Sequence, residues 1–276
     1  MLASKFFGNL FPGDPNGGGA GRSSIIAQLE ATLRRLQTDY LDLYWLHNWD
    51  RNTPIEETLR TLDDLVRAGK IRYLGFSNTP AWLTAQAQTM AQLRSWTPLI
   101  ALQVEYSLLA RTVEAEFTPL AHDQQLALVP WSPLKNGFLS GKYRRDTQVT
   151  DSARTAFVGG PSEAEYTVIE AVAAVAAELS TTSAAVSLAW LRARSGTVVP
   201  ILGARRVEHL RTNLAAADVV LSADQVRRLD EVSAPALSYP APMHGALRAM
   251  LQFAGTTVDG ETSTVYPPLL AGAQRY

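Results

Sequence analysis

The 276-residue sequence contains no cysteine, which excludes disulfide scaffolds, thiolate metal sites and cysteine nucleophiles. It has no excess of either charge, because 25 basic against 26 acidic side chains leave a net charge of -1. There is no basic run either, so no nucleic acid is expected as a partner. No apolar stretch approaches the roughly 18–20 residues of a membrane-spanning helix, so no membrane partner is expected. The opening Met-Leu-Ala-Ser-Lys-Phe-Phe lacks a basic segment followed by a long apolar one. A secretory leader is therefore not expected, and the cytoplasm is the expected location. What is abundant is hydrophobic residues, at 46%, enough for one large domain with a substantial core.

Short apolar runs alternate with helical periodicity. Leu2–Phe6, Leu41–His47, Ile71–Ser77, Leu99–Glu105, Ala127–Trp131 and Val198–Leu202 are brief and bounded by Gly, Pro, Asn and Ser. They read as buried parallel strands. Between the first two, Ile25, Ile26, Leu29, Leu33 and Leu36 recur at helical spacing, which places them on one face. Thr53-Pro54-Ile55-Glu56 reads as a helix start with a capping threonine, and Gly69 as the corresponding stop. Thr79-Pro80 and Ser222-Ala223-Asp224-Gln225 repeat the opening signal, and two further helices are expected over 163–179 and 182–194. Most strands recur about 30 residues apart, the length of a strand–helix unit with a right-handed crossover. No composition break divides the chain, so one domain over 1–276 is expected, with an irregular proline-rich tail over 235–276 and one short helix near 244–253.

Such alternation leaves an open doubly wound sheet or a closed eight-stranded barrel. The Rossmann fingerprint is absent: Gly17-Gly18-Gly19-Ala20-Gly21-Arg22 lacks its third glycine. The stretch from Gly137 to Gly141-Lys142-Tyr143 is one residue short of a P-loop and lacks its Ser/Thr. Both read as loops, and the barrel is favoured, although only six strands can be counted. In a barrel, chemistry gathers at the carboxyl ends of strands. Those ends carry Lys5, then His47, then Ser77 with Asn78, then Gln103 with Glu105, then Trp131 with Ser132. Each alone has an ordinary structural explanation as a solvated charge, a rim histidine or a helix cap. Their placement at one end of one barrel raises the case for a site.

These residues lie in stretches that resemble the aldo-keto reductases. The stretches are Leu2 to Phe6, Asp39 to His47, Gly69 to Asn78, Gln103 to Ser107, Pro130 to Tyr143, and Pro200 to Arg205 with His209 and Asn213. The resemblance implies a (β/α)8 barrel that binds NADP(H) and transfers a hydride between nicotinamide and a small-molecule carbonyl substrate, an aldehyde or ketone. On that basis Ser77, Asn78 and Gln103 would hold the nicotinamide carboxamide, and Trp131 would stack on the ring. Ser132, Leu134, Asn136 and Gly137 would line the pyrophosphate path. Gly203, Arg205, His209 and Asn213 would surround the 2′-phosphate at a helix N-terminus. Lys5 matches the family's lysine, which lowers the pKa of a tyrosine acid, and His47 matches the histidine that orients the carbonyl.

The family's tyrosine and its aspartate stand upstream of that lysine, whereas only four residues precede Lys5. The six countable strands express the same deficit, with the first two of eight strand–helix units missing, roughly 50–60 residues. An N-terminally shortened reductase is therefore expected, with a non-catalytic cofactor-binding protein as the alternative. Tyr44 has the wrong strand parity to substitute for the acid. Tyr73 lies about 13 Å below Ser77 at the normal strand rise, and Tyr106 belongs to the Gln103-Val-Glu-Tyr pattern instead. The loss of a positioned acid would slow the reaction by about 10²–10⁴. The substrate and the oligomeric state are not legible.

Overall fold

The computed structural model describes residues 1–145 and 159–270. Five strands, β1 (Ala3–Phe6), β2 (Leu41–Leu46), β3 (Ile71–Ser77), β4 (Leu99–Glu105) and β5 (Ala127–Trp131), form one sheet in chain order, with every pair parallel. Between them lie α1 (Arg22–Leu36), α2 (Ile55–Arg67), α3 (Ala81–Arg94) and α4 (Phe117–Asp123). After β5 come α5 (Glu163–Glu178), α6 (Ser183–Arg192), α7 (Val207–Ala215) and α8 (Ala223–Val232).

The side chains of the strands divide by parity. Phe6, Tyr44, Leu46, Leu74, Phe76, Leu102, Val104 and Leu128 meet the helices in the main core, together with Ile25, Leu29, Leu59, Leu62, Val172 and Trp190. The opposite face carries Leu43, Trp45 and Ala101, backed by Ala127 and Val129. Trp45 lies flat against β3, since a Cβ on Gly75 would fall 2.4 Å from its ring. This second face is only partly covered. Lys5 is exposed, and Tyr73 keeps 46% of its surface.

The expected sixth strand over 198–202 is a single parallel bridge, Leu128 to Val198, with hydrogen bonds Leu128 N–H to Thr197 O, Val199 N–H to Leu128 O and Ile201 N–H to Pro130 O. The next rung would come from residue 130, and Pro130 has no N–H to give Val199 O; among the described residues the sheet is open between β1 and this segment. Thr53 and Thr79 do not cap α2 and α3. The Thr53 hydroxyl donates to Asp50 Oδ2 at 2.7 Å and that of Thr79 to the Ser77 carbonyl at 3.2 Å. Pro54 and Pro80, at φ -57° and -52°, set the helix entries instead. Leu36, expected on the buried face of α1, is 43% exposed at the last turn. The expected cap at Ser222 forms in full, with the Gln225 N–H on its hydroxyl and its own N–H on Gln225 Oε1. Gly69 ends α2 at φ +72°.

A cationic clamp joins the loop after β4 to the C-terminal helices. Arg111 is 8% exposed. Its guanidinium grips both Glu114 carboxylate oxygens and donates to the Asp230 carbonyl and the Ser233 hydroxyl. Past Ala234 the chain forms α9 (Ala246–Phe253), a small antiparallel hairpin of β6 (Thr257–Val258) and β7 (Glu261–Thr262), and α10 (Pro267–Leu270).

Candidate active site

Lys5 stands in register with Trp45, so its side chain emerges on the partly covered face. His47 follows β2, with its N–H on the Phe6 carbonyl at 3.1 Å. Desolvation lowers the pKa of its ring, and the Lys5 ammonium lowers it further. The two residues matched to catalytic positions therefore sense each other across neighbouring strand ends.

Ser77 and Gln103 face each other in register and are 1% and 5% exposed. The Ser77 hydroxyl has no hydrogen-bond partner. A buried hydroxyl without a partner loses stability, so this atom has capacity for an incoming polar group.

Asn78 joins the strand ends. It adopts φ +50°, in the left-handed region that asparagine tolerates better than most residues. Its N–H donates to the Gln103 carbonyl at 3.3 Å and its Nδ2 to the His47 carbonyl at 3.1 Å. Its Oδ1 accepts the Trp131 indole N–H at 3.1 Å. The tips of β2, β3, β4 and β5 are thus tied through one side chain and its backbone.

The loop after β5 turns through left-handed residues at Ser132, Lys135, Asn136 and Gly137. It is braced internally, with the Asn136 N–H on the Ser132 hydroxyl at 3.2 Å and the Gly137 N–H on the Leu134 carbonyl at 2.9 Å. Its one long side chain turns toward β4, where Lys135 Nζ donates to Glu105 Oε1 at 2.6 Å.

A cleft of about 880 Å³ runs from this loop to α7. Nine of the twelve residues assigned to cofactor binding line it, namely Trp131, Ser132, Leu134, Asn136, Gly137, Gly203, Arg205, His209 and Asn213. The other three, Ser77, Asn78 and Gln103, adjoin it through the Asn78–Trp131 bond. Lys5 and His47 lie beyond them, on the strands to the far side of β3. Arg205 and His209 are exposed beside the N-terminus of α7 and Asn213 is buried. The unpaired N–H groups of a helix's first turn favour an anion there.

Sequence reasoning missed three polar residues of the cleft: Ser140, Lys142 and Thr212. Lys142 sits 4.9 Å from the Tyr143 ring centroid. Its signal was available in the Gly141-Lys142-Tyr143 stretch, which read as a failed P-loop and as part of the family resemblance, without a role for Lys142.

The three tyrosines weighed as substitute acids stand away from the mouth. The Tyr44 hydroxyl is buried in the main core, where burial pushes its pKa up. Tyr106 packs on Trp190 and donates to Glu114 Oε1 at 2.8 Å. Burial, then the Glu114 charge and hydrogen bond, raise its pKa too. Tyr73 is on the inner face, four residues below Ser77. Among the described residues no group of three or more His, Asp or Glu side chains is placed to hold a metal ion. No single helix among them is long and apolar enough to cross a membrane.

Parallel strands alternating with helices, polar groups at the carboxyl strand ends and a long cleft beside them define an α/β scaffold of the barrel type. The chain belongs to the Aldo/keto reductase family, whose sequence profile matches residues 1–234. It is 36% identical over 237 residues to the oxidoreductase YrpG of Bacillus subtilis, covering 84% of this chain and 71% of that protein. It is 32% identical over 218 residues to norsolorinic acid reductase of Aspergillus flavus, covering 79% of this chain and 54% of that one. Against the aryl-alcohol dehydrogenase [NADP(+)] of Phanerodontia chrysosporium it is 33% identical over 218 residues, covering 75% and 56%.

Proposed function

We propose that the chain binds NADP(H) along the cleft from Trp131 to Asn213 and offers the nicotinamide end to an aldehyde or ketone at the strand ends. The observation that carries this reading is the convergence on one cleft of nine residues that the family resemblance assigns to the cofactor, beside a buried Ser77 hydroxyl that lacks a partner. The available donors suit the group. Ser77 and Gln103 have polar side chains for a carboxamide, and Trp131 offers an aromatic face held by Asn78. Lys142, Arg205 and His209 place cationic or hydrogen-bonding groups along the cleft wall. Arg205 beside the α7 N-terminus favours a 2′-phosphate, and the NADP(+) in the Phanerodontia relative's name supports the same preference.

When bound, NADPH supplies the hydride that reduces a carbonyl carbon. His47 would hold the carbonyl oxygen by hydrogen bonding. With its pKa lowered by desolvation and by Lys5, the imidazole is neutral near pH 7. It therefore acts as a hydrogen-bond donor and not as a charged group. Lys5 adds positive charge near the developing alkoxide. Tyr44 and Tyr106 are buried and Tyr73 lies four residues below Ser77, so none of these three supplies the proton for the alkoxide. Cofactor binding without efficient turnover is the second reading, favoured by that same observation.

Fluorescence titration with NADPH, paired with turnover of a generic aldehyde, tests both. Saturable binding with slow turnover is expected, and binding with no turnover favours the second reading. Trp131→Ala should weaken NADPH binding while His47→Ala leaves it nearly intact. Absence of binding, or equal loss in both variants, would contradict the assigned roles.

A further inference from the structure

The loop over 132–137 forms one wall of the cleft, yet Lys135 does not line it. Its ammonium is turned aside onto Glu105, at 2.6 Å, with the two side chains 23% and 32% exposed. Glu105 is the last residue of β4 and stands in register with Trp131, the first residue of the cleft wall. The pair thus sits at the junction of the mouth and the cleft. Three backbone N–H groups of this loop are committed internally: Lys135 to Ser132 O, Asn136 to Ser132 Oγ and Gly137 to Leu134 O. They have little capacity left for an anion. Among the described residues between Trp131 and Arg205, the one cationic side chain lining the cleft is Lys142, whereas a diphosphate brings about two negative charges. A flexible four-carbon ammonium one residue from the lining positions Leu134 and Asn136 is the nearest further source of positive charge.

Resting on the cofactor reading above, we propose that Lys135 is a positioning switch that exchanges partners on binding. In the free chain its ammonium is held by the Glu105 carboxylate, and in the complex it turns to the cofactor's diphosphate. Glu105 then competes with the diphosphate for one cation. The two residues of one ion pair should therefore have opposite effects on affinity, which a pair that merely braces the loop would not produce.

The test measures the dissociation constant for NADPH by fluorescence at low ionic strength, for the unmodified chain and for Glu105→Gln, Lys135→Met and Lys135→Arg, with thermal melts confirming that each is folded. Glu105→Gln removes the competing charge and should tighten binding about 2- to 5-fold, the span of a partly exposed ion pair. Lys135→Met should weaken it about 10-fold, as loss of a charge-assisted contact does, and Lys135→Arg should restore most of it. If Glu105→Gln weakens binding as Lys135→Met does, or if neither changes it, the exchange is overturned. If the unmodified chain fails to bind NADPH, the cofactor reading falls and this proposal falls with it.

Discussion

Replacing Asn78 by alanine removes the side chain that joins three strand ends, and its cost can be worked from the structure. The Nδ2 bond to the His47 carbonyl and the bond from the Trp131 indole are each 3.1 Å and solvent exposed. Water replaces them in part, so each contributes about 0.5 kcal/mol, the low end for a protein hydrogen bond. Asn78 also sits at φ +50°, where an alanine Cβ adds about 1 kcal/mol of strain. Asn78→Ala should therefore lower unfolding stability by about 2 kcal/mol, whereas Asn78→Gly, free of the Cβ strain, should lose about 1 kcal/mol. Equilibrium urea unfolding followed by tryptophan fluorescence separates the two. Both variants release the Trp131 indole, so both should weaken NADPH binding by a similar factor despite their different stabilities. Equal destabilisation of the two would refute the strain argument. Unchanged NADPH affinity in both would refute the role of Asn78 in holding Trp131.

Three further outcomes follow from other parts of the structure. Gly75→Ala forces a Cβ to within 2.4 Å of the Trp45 ring and should cost about 1–3 kcal/mol by overpacking. The same change in a Trp45→Leu background should cost far less in thermal unfolding. Lys5→Met should raise the His47 pKa part of the way to its ordinary value, because desolvation of the ring remains. NMR titration of the His47 ring reads this directly, and an unmoved pKa would separate the two residues. Hydrogen bonds from Arg228 and then from Gln225 hold the Glu178 carboxyl at about 2 instead of 4.5. A depressed carboxyl stabilises fully above its ordinary value and loses that contribution as pH falls toward 2. Glu178→Gln should therefore flatten the loss of stability between pH 4.5 and pH 2 in acid unfolding.

The five strands of the sheet were legible because short apolar runs bounded by turn residues have few alternatives in a chain of repeated strand–helix units. The sixth run was misread where composition and hydrogen bonding part company. Val198–Leu202 is apolar, but Pro130 on β5 has no N–H for the next rung, and Val199 and Ile201 are 54% and 40% exposed. The threonines before Pro54 and Pro80 looked like caps, but a nearby carboxylate and carbonyl took their hydroxyls. The tail over 235–276 read as irregular, although Asp259-Gly260, both at positive φ, is a strong two-residue hairpin signal between Val258 and Glu261. A second overlooked signal was Ser162 three residues before Glu165, which forms a full capping box. Within the site, the residue types at the strand ends were readable, but their mutual bonds were not. Trp131 reaches Asn78 across 53 residues and Lys135 reaches Glu105 across 30, separations that no local pattern encodes. The resemblance matched Lys5 and His47 to catalytic positions. The fate of Tyr106 required its contact with Glu114 to be seen.

A nicotinamide dinucleotide bound as proposed occupies the cleft between the loop after β5 and α7. Amide hydrogen exchange with and without saturating NADPH locates it directly. Slowed exchange should concentrate in 131–142 and 203–213, the segments that supply most of the lining, with little change in α1 and α2 on the far side of the sheet. Protection that appears elsewhere and spares these two segments would contradict the account.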